Sequence, residues 1–469
     1  MYIIIVLLLL SFSFSQSKFN PNETKFLINE WQSFQIDKTK SLNQSPFNIT
    51  YNLYYYYNSN LPNLENQNGI YIAKGLGTIS GVLLEYSSKH LTFSTEPTIS
   101  KRSVLPILLP EKKETFSVLN DVPLNRLYLN KFNKFRNTGI KLSFYGISGG
   151  YGNWDQWWGP GIHNSLVMTN NARGMPHYFL ETLGYQTLFG DLQYNFKYTV
   201  SNAMLNNMGA EYFLSAYYFN LKYKNLEFGK SQHILNGGYQ GLRWSLNDAK
   251  NIFFTNNNMK YWDSIIDYYI SANFPSSGLI VFVELGVPLN RSYNSHNPEL
   301  YHDHIISSNM GLRKYGAFGK DEFILGFEYT RLVQGIYYNI LPTPNWYDNI
   351  KYNYSSYNGR RWTAHSGSDS DDFLIFIGYM ADRASLIYGL NYERHGVTYH
   401  FPPEVKLESR ISISYKYNNT FIYLNYENEY FEHYGFVDVN KNVWLETYEP
   451  GSIQHTQTLL FSIEHSFSF

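Results

Sequence analysis

Residues 192–201 read LQYNFKYTVS, and this stretch decides the fold class. Leucine, tyrosine, phenylalanine and valine alternate with glutamine, asparagine, lysine, threonine and serine without interruption. Successive side chains of a β-strand point to opposite faces, whereas a helical face repeats about every 3.6 residues. The stretch is therefore predicted to be a strand with one apolar and one polar face.

The same alternation returns three times further along the chain. It occurs in residues 323–330 (FILGFEYT), 411–418 (ISISYKYN) and 422–427 (IYLNYE), and Ile324 is the one apolar residue on the polar face of the first. These runs approach the roughly 9 to 11 residues with which a tilted strand crosses a bilayer, whereas strands of soluble proteins average about 5 to 6. A soluble sheet with one solvated face would also alternate. Length and repetition favour a membrane barrel.

The composition fits a membrane-spanning sheet. The chain of 469 residues has 44 tyrosines, 33 phenylalanines and 9 tryptophans, and aromatic residues form the interfacial girdles of such barrels. Beyond residue 16 the sequence has no run of about 18 apolar residues that could form a transmembrane helix. Because every backbone polar group in hydrocarbon needs an internal partner, a closed sheet is the alternative.

The last residues, 459–469, read LLFSIEHSFSF and alternate again. They resemble the terminal strand that the barrel insertion machinery reads in bacterial outer-membrane proteins. We therefore predict an all-β fold, a transmembrane antiparallel β-barrel in the cell outer membrane, with outer-membrane lipid around it and long extracellular loops.

The chain is predicted to contain one domain after an export signal. Residues 1–15 combine an apolar run with the small residues Ser13 and Ser15, the pattern of a signal peptide, and residues 16–469 form the barrel. Within the barrel, residues 105–136 look least like strands, and their leucines follow roughly helical spacings. We predict a short helical insertion or a plug there, with a long irregular turn as the alternative.

Charge and cysteine content exclude several function classes. The net charge of -1 provides no basic surface for nucleic acid. The absence of cysteine excludes disulfides, thiolate metal sites, a cysteine nucleophile and lipoprotein anchoring. No nucleic-acid partner and no cofactor are expected.

The densest group of recognition residues lies in residues 152–161 (GNWDQWWGPG) and 170–173 (NNAR). Indole rings stack on sugars, and amide, carboxylate and guanidinium groups form directional hydrogen bonds to hydroxyls. The structural alternative is a tight Gly-Pro-Gly turn with tryptophans packed at a barrel rim. The candidate ligand-binding residues are Trp154, Asp155, Trp157, Trp158, Asn170, Asn171 and Arg173.

The stretches WWGPG at 157–161 and NNAR at 170–173 resemble the signature of the Wzi family of capsule-assembly outer-membrane proteins. Residues 325–331 (LGFEYTR) and 359–371, which begin GRR and end HSGSDSD, agree in the same order. Arg360 and Arg361 join the candidate ligand-binding residues through this resemblance. The family's periplasmic helical bundle has no clear counterpart near the start of the chain.

The resemblance implies a barrel of about 18 strands that binds capsular or another surface polysaccharide. Such a protein helps to assemble or retain the polymer at the cell surface as a lectin, without catalysis. The alternative is a general porin or solute channel whose polar inner face conducts solutes. A third hypothesis, a hydrolase, rests on Ser148 in residues 146–150 (GISGG), which match a nucleophile elbow but lack the helix that must follow it.

Metal binding has weak support in the sequence. Asp369, Asp371 and Asp372 could bridge a cation to a ligand, whereas residues 438–449 lack the glycine of an EF-hand loop. Five histidines show no zinc-binding motif, namely His163, His177, His296, His302 and His304. No metal is assigned.

We expect the mature protein to begin at Gln16, because Ser13 and Ser15 mark the preferred cleavage site. Mass spectrometry of the protein from membrane fractions checks this expectation. Recovery of the intact Met1 terminus would contradict export through a cleaved signal.

Overall fold

The computed structural model describes most of the chain. The described residues are 22–35, 46–125, 135–205, 209–237, 262–289, 306–332, 346–347, 349–398, 400, 402–437 and 453–468. The predicted signal peptide, residues 1–15, lies outside them, as do residues 126–134 and 438–449 and His296, His302 and His304.

Eighteen antiparallel strands form one closed barrel. The strands are β1 (Phe47–Asn58), β2 (Gly75–Ser87), β3 (Leu91–Arg102), β4 (Phe135–Phe144), β5 (Ile147–Gly152), β6 (His177–Thr182 and Gln186–Phe189), β7 (Leu192–Leu205), β8 (Glu211–Tyr223), β9 (Leu226–Gly237), β10 (Asp263–Phe274), β11 (Leu279–Leu289), β12 (Ser307–Tyr315), β13 (Phe323–Arg331), β14 (Ser370–Met380), β15 (Ala384–His395), β16 (Glu404–Tyr417), β17 (Thr420–Glu432) and β18 (Gln454–Ser468). The two segments of β6 pair successive parts of β7, so they count as one strand.

Each strand pairs with its neighbour along the chain, and β1 pairs with β18 to close the sheet. In this closing pair, Leu53 lies opposite Ile463 and Tyr55 opposite Phe461. Closure leaves no unpaired edge, as a sheet in hydrocarbon requires. The predicted fold class and the approximate strand number are confirmed.

The alternation in sequence becomes an alternation of faces. In β14, Phe373, Ile375 and Ile377 are exposed on the outer surface, and the residues between them are buried in the interior. In β16, the isoleucines of residues 411–418 face outward and the serines face inward. The apolar faces therefore form the lipid-facing wall of the barrel.

Connection lengths distinguish the two ends of the barrel. One end carries short turns such as residues 88–90, 145–146 and 418–419. The other end carries long connections, of which four matter for the site: L1 (59–74), L2 (103–134), L3 (153–176) and L7 (332–369), numbered in chain order at that end. In bacterial barrels the short turns are periplasmic and the long loops extracellular.

The described residues of the long loops carry little regular structure. L2 has a 3-10 turn at Glu114–Val118, and L7 has one at Ile350–Tyr352 and a small hairpin of Ser356–Tyr357 with Arg360–Arg361. Further 3-10 turns occur at Pro275–Ser277, Ala317–Gly319 and Tyr434–Phe436.

One α-helix, α1 (Asn22–Gln35), is present in the described part of the chain, and it lies inside the barrel near the short turns. Leu27 and Trp31 are buried against inward-facing apolar residues of β11, β13 and β14, including Ile324. Ile324 interrupts the polar face of its strand because it contacts this helix. No described helix is long and apolar enough to cross a bilayer.

Ion pairs hold α1 to the inner wall. Arg313 Nε donates to Glu30 Oε2 at 2.8 Å, Lys25 Nζ lies 2.9 Å from Glu464 Oε2, and Arg410 pairs with Glu23. For residues 105–136 the sequence predicted a helical insertion, a plug or a long irregular turn, and it predicted no helix near the start. Among the described residues of 105–136 the structure has the 3-10 turn at Glu114–Val118 and the first two residues of β4, and no α-helix. Sequence spacing missed α1 because that helix is stabilised by contacts with distant strands.

The loops fold inward at the opposite end. Every residue of 61–73 in L1, 161–175 in L3 and 359–369 in L7 is buried. Trp158, Leu166, Trp346 and Trp362 join L3 and L7 to the inner faces of β8, β9 and β10. The described residues of L1, L3 and L7 together form the plug.

Loosening α1 should open the periplasmic half of the lumen. We expect the double variant Glu30→Ala, Trp31→Ala to raise single-channel conductance in planar bilayers, because it removes the carboxylate partner of Arg313 at a cost of about 3–5 kcal/mol and removes the indole anchor. Ser33→Ala, at an exposed position of the same helix, is the control. Equal conductance of both variants and the wild type would refute the role assigned to α1.

Candidate functional site

Trp154 packs on the inner wall where β5 leads into L3. Its ring lies against Gly139 and Gly152, where a Cβ atom would overlap the indole. Its Nε1 donates to Ser94 Oγ at 2.8 Å, and its ring meets Phe179 edge-on. Glycines on two neighbouring strands therefore make the space that this tryptophan occupies.

The next two tryptophans differ in exposure. Trp157 is half-buried, and its Nε1 donates to Gly161 O at 2.8 Å, which braces the Gly-Pro-Gly turn. Trp158 is buried, its ring meets Tyr218 edge-on, and its backbone N–H donates to Met168 O at 3.0 Å. Trp157 therefore keeps an accessible face, and Trp158 belongs to the interior of the plug.

Asp155 ties the two ends of L3 together. Its Oδ1 accepts a hydrogen bond from Gly174 N at 2.8 Å. Burial raises the pKa of Asp155 to about 6, and Arg136 opposes the rise. Gly174 is required at this crossing because a Cβ atom would overlap the backbone of Asn153.

Asn171 connects four segments of chain. Its Oδ1 accepts from Asn66 N in L1 at 3.1 Å and from Asn120 Nδ2 in L2 at 2.9 Å, and its Nδ2 donates to Arg361 O in L7 at 3.2 Å. Asn170 donates from Nδ2 to Asn68 Oδ1. Both asparagines are buried, so their amides hold L3 to the loops around it.

The three candidate arginines donate to backbone carbonyls. Arg361 is 0% exposed and donates to Tyr354 O at 2.9 Å and to Thr115 Oγ1 at 2.7 Å. Arg360 Nη2 donates to the carbonyls of residues 120 and 122, each at 3.0 Å, and its guanidinium lies over the ring of Tyr71. Arg173 donates to a carbonyl at the start of β4. The guanidinium groups thus hold L2 and L7 in place.

The structure therefore brings the sequence-predicted residues into one region, because all of them lie in L3 or L7 of the plug. Most of them are buried and bonded to protein. Their direct contact with a polysaccharide stays a prediction, and the residues whose side chains are half-buried are Trp154, Asp155 and Trp157.

The three aspartates that the sequence left open as a cation site do not converge. Asp371 pairs with Arg394 on the outer side of β14, whereas Asp372 faces the interior. Asp369 accepts from Thr398 N at 3.0 Å. Asp371 and Asp372 diverge because adjacent residues of a strand point to opposite faces.

Ser148 lacks the surroundings of a nucleophile. It lies within β5, is buried, and shares a hydrogen bond with Ser143 Oγ of β4 at 2.9 Å. No helix follows β5; the chain enters L3 instead. The hydrolase hypothesis loses the strand–turn–helix context on which it depends.

A salt-bridge network lies on the inner face of the barrel wall, next to L1. Lys406 Nζ lies 2.5 Å from Glu65 Oε1 and within 3.5 Å of carboxylates of Glu393, Glu408 and Glu429. Although burial raises the pKa of Glu65, Lys406 lowers it to about 2. The sequence predicted a polar inner face but not this pairing, which joins L1 to β15, β16 and β17.

A cleft of about 540 Å³ lies between L2 and L7 at the long-loop end. Its lining includes Ile107, Leu109, Pro110, Glu111, Ser117, Val122, Leu124, Asn125, Asn353, Tyr354, Ser356, Gly359 and Tyr434. At its floor, Lys112 is buried, lies 2.6 Å from Glu404 Oε1 and 4.1 Å from the ring centre of Tyr434. The sequence did not predict this cleft, although residues 105–136, which include most of L2, stood out as the stretch least like strands.

Comparison with solved structures identifies the class. The fold is similar to that of Wzi from Escherichia coli, an outer-membrane protein involved in group 1 capsule assembly and described as a carbohydrate-binding β-barrel, with TM-score 0.60, 12% identity, and 94% of this chain and 89% of that chain covered. It also matches Pseudomonas aeruginosa OccK5 (OpdH), with TM-score 0.48, 9% identity, and coverage of 91% and 99%. OpdQ of the same organism matches with TM-score 0.47, 10% identity, and coverage of 90% and 98%.

No family model matches the chain. No curated protein matches it either. The closed sheet and the structural similarity define the class: the protein is a β-barrel of the outer membrane. Its fold is Wzi-like.

The buried arginine contacts make a testable contribution to stability. Arg361→Ala should lower the free energy of unfolding by about 3 kcal/mol, because charged hydrogen bonds contribute roughly 1.5–3 kcal/mol each and their acceptors stay buried. The measurement is the temperature at which the unboiled, compact gel band is lost. Arg331→Ala, at an exposed position on β13, is the control, and equal midpoints for the two variants would contradict the structural role.

Proposed function

We propose that this protein is a member of the Wzi family that binds a capsular or related surface polysaccharide at the extracellular mouth of its barrel. It helps to assemble or retain the polymer there, without catalysis. Residues 1–15 direct its export, and the terminal strand is read by the insertion machinery.

The proposal rests on the way the described residues fill the lumen. The plug occupies the extracellular half and α1 packs against the inner wall of the periplasmic half. A porin needs a continuous open lumen. Buried loops cross-linked by amides and guanidinium groups suit a rigid recognition surface better than a conduit.

The cleft between L2 and L7 is the surface that such a polymer would meet. It combines the Tyr354 ring with amide and carboxylate groups of Asn125, Asn353 and Glu111. Aromatic faces and directional polar groups are what sugar recognition requires. Asn353 Oδ1 has no hydrogen-bond partner within the described part of the chain.

The sequence-predicted residues take two roles in this proposal. Trp157 and Asp155, with their partly accessible side chains, contact the polymer or a branch of it. Asn170, Asn171, Arg360 and Arg361 position the loops that carry the contacting groups. Arg360 does so most directly, because it holds L2 against L7 beside the cleft.

Binding per folded molecule tests this assignment. We expect Asn353→Ala to weaken binding of the purified surface polysaccharide by about 2- to 10-fold, the equivalent of one hydrogen bond of roughly 0.5–1.5 kcal/mol. Trp157→Ala should weaken it by a similar factor, since a stacking contact is worth about 0.5–1.5 kcal/mol. Affinity is measured on detergent-solubilised protein and normalised to the heat-modifiable, folded fraction.

Asn225→Ala, in an exposed turn at the opposite end of the barrel, is the matched control. If both variants bind as tightly as this control, the site assignment fails. If cells lacking the protein keep as much polysaccharide on their surface as wild-type cells, the function fails as well.

A further inference from the structure

Two histidines and an aspartate from separate parts of the chain meet inside the barrel. His163 belongs to L3, His365 to L7 and Asp372 to the start of β14. Both imidazole Nε2 atoms lie 3.2 Å from the same atom, Asp372 Oδ2. The imidazole rings are nearly perpendicular, with centres 4.4 Å apart, and all three residues are at least 97% buried.

These distances match the edges of a metal coordination polyhedron. Zinc binds imidazole nitrogen and carboxylate oxygen at about 2.0–2.2 Å with tetrahedral geometry, which places neighbouring ligand atoms roughly 3.3–3.5 Å apart. The two Nε2–Oδ2 separations of 3.2 Å lie close to that spacing. A divalent ion could therefore bind between the three atoms with small movements of the side chains.

The ring nitrogens of His365 are poorly satisfied. Nε2 lies 3.2 Å from Asp372 Oδ2 without the alignment of a good hydrogen bond, and Nδ1 has no hydrogen-bond partner among the described residues. An unpaired buried nitrogen costs free energy unless something else satisfies it. Metal coordination through the nitrogen lone pair would satisfy Nε2 without requiring a donated proton.

The surrounding residues hold the cluster in place. Asn164 Nδ2 donates to Asp372 Oδ2 at 2.7 Å, and Asn164 Oδ1 accepts from His365 N at 3.0 Å. Glu328 accepts from three successive backbone N–H groups of L3, including that of His163 at 3.1 Å. Such second-layer contacts orient metal ligands and raise affinity.

Asn391 of β15 supports the cluster from the barrel wall. Its Nδ2 lies 3.0 Å from His163 Nε2 and donates to Asp372 Oδ1. The amide therefore orients the carboxylate, which leaves Asp372 Oδ2 directed at the two imidazoles.

We propose that His163, His365 and Asp372 bind one Zn²⁺ ion, with Asn164 and Asn391 holding the carboxylate in place. Nitrogen ligands favour zinc over calcium and magnesium, which prefer oxygen alone. The ion links L3 and L7 to the barrel wall, so it is a structural metal that closes the plug. This proposal is independent of the polysaccharide-binding function.

Metal content of the full-length barrel tests the proposal. Protein refolded with a chelator, then loaded with Zn²⁺ and gel-filtered, should carry about one zinc per barrel by elemental mass spectrometry. His365→Ala should lower zinc affinity by at least tenfold. His233→Ala is the matched control, because His233 is equally buried and lies outside the cluster, and it should bind zinc as the wild type does.

A spectroscopic measurement on the wild type keeps the test decisive if His365→Ala does not fold. Co²⁺ in place of Zn²⁺ should produce visible absorption bands of a site with nitrogen and oxygen ligands. Loss of less than half of the bound zinc in folded His365→Ala would overturn the proposal. So would wild-type protein that carries no zinc above the level of a metal-free blank and shows no Co²⁺ bands; the cluster would then be a hydrogen-bonded ion pair.

Discussion

The need to pair every backbone N–H and C=O inside hydrocarbon is the constraint on which this structure depends. It is met by the pairing of β1 with β18, which turns eighteen antiparallel strands into a sheet without an edge. Once the sheet is closed, one face of each strand must contact lipid and the other must face an interior. The alternation of tyrosine, phenylalanine and isoleucine with polar residues follows from that geometry.

An interior bounded by eighteen strands is too wide for side chains alone to fill. The chain fills it from both ends, with α1 near the short turns and the plug near the long loops. The helix and the plug contact different kinds of side chain on the inner wall. Apolar side chains of β11, β13 and β14 face α1, and the acidic cluster around Lys406 faces L1. The inner wall is therefore not uniformly polar. Each part of it matches the chemistry of the helix or loop that packs against it.

The motif around Trp157 contains architectural contacts beside the residues that we propose for recognition. Its glycines and proline form the turn, Trp158 fills the interior, and Asn171 connects L1, L2 and L7 to L3. The polymer-binding surface that we propose at the mouth would depend on these contacts even where they do not touch the ligand, because they set the positions of the loops. Residue chemistry alone does not separate the contacting groups from the positioning groups.

The sequence by itself determined the wall of the barrel, because the alternation of apolar and polar residues can be read within each strand without knowledge of its neighbours. It determined the lipid-facing side chains and the terminal strand for the same reason. Only the tertiary structure decided what lies inside. The helix at Asn22–Gln35 is stabilised by partners hundreds of residues away, such as Arg313 and Glu464, so its place could not be read from spacing. His163 and His365 share no motif and meet only because L3 and L7 fold into the same lumen. The aspartates at 371 and 372 look like a pair in sequence, and the pleat of the strand sends them to opposite faces.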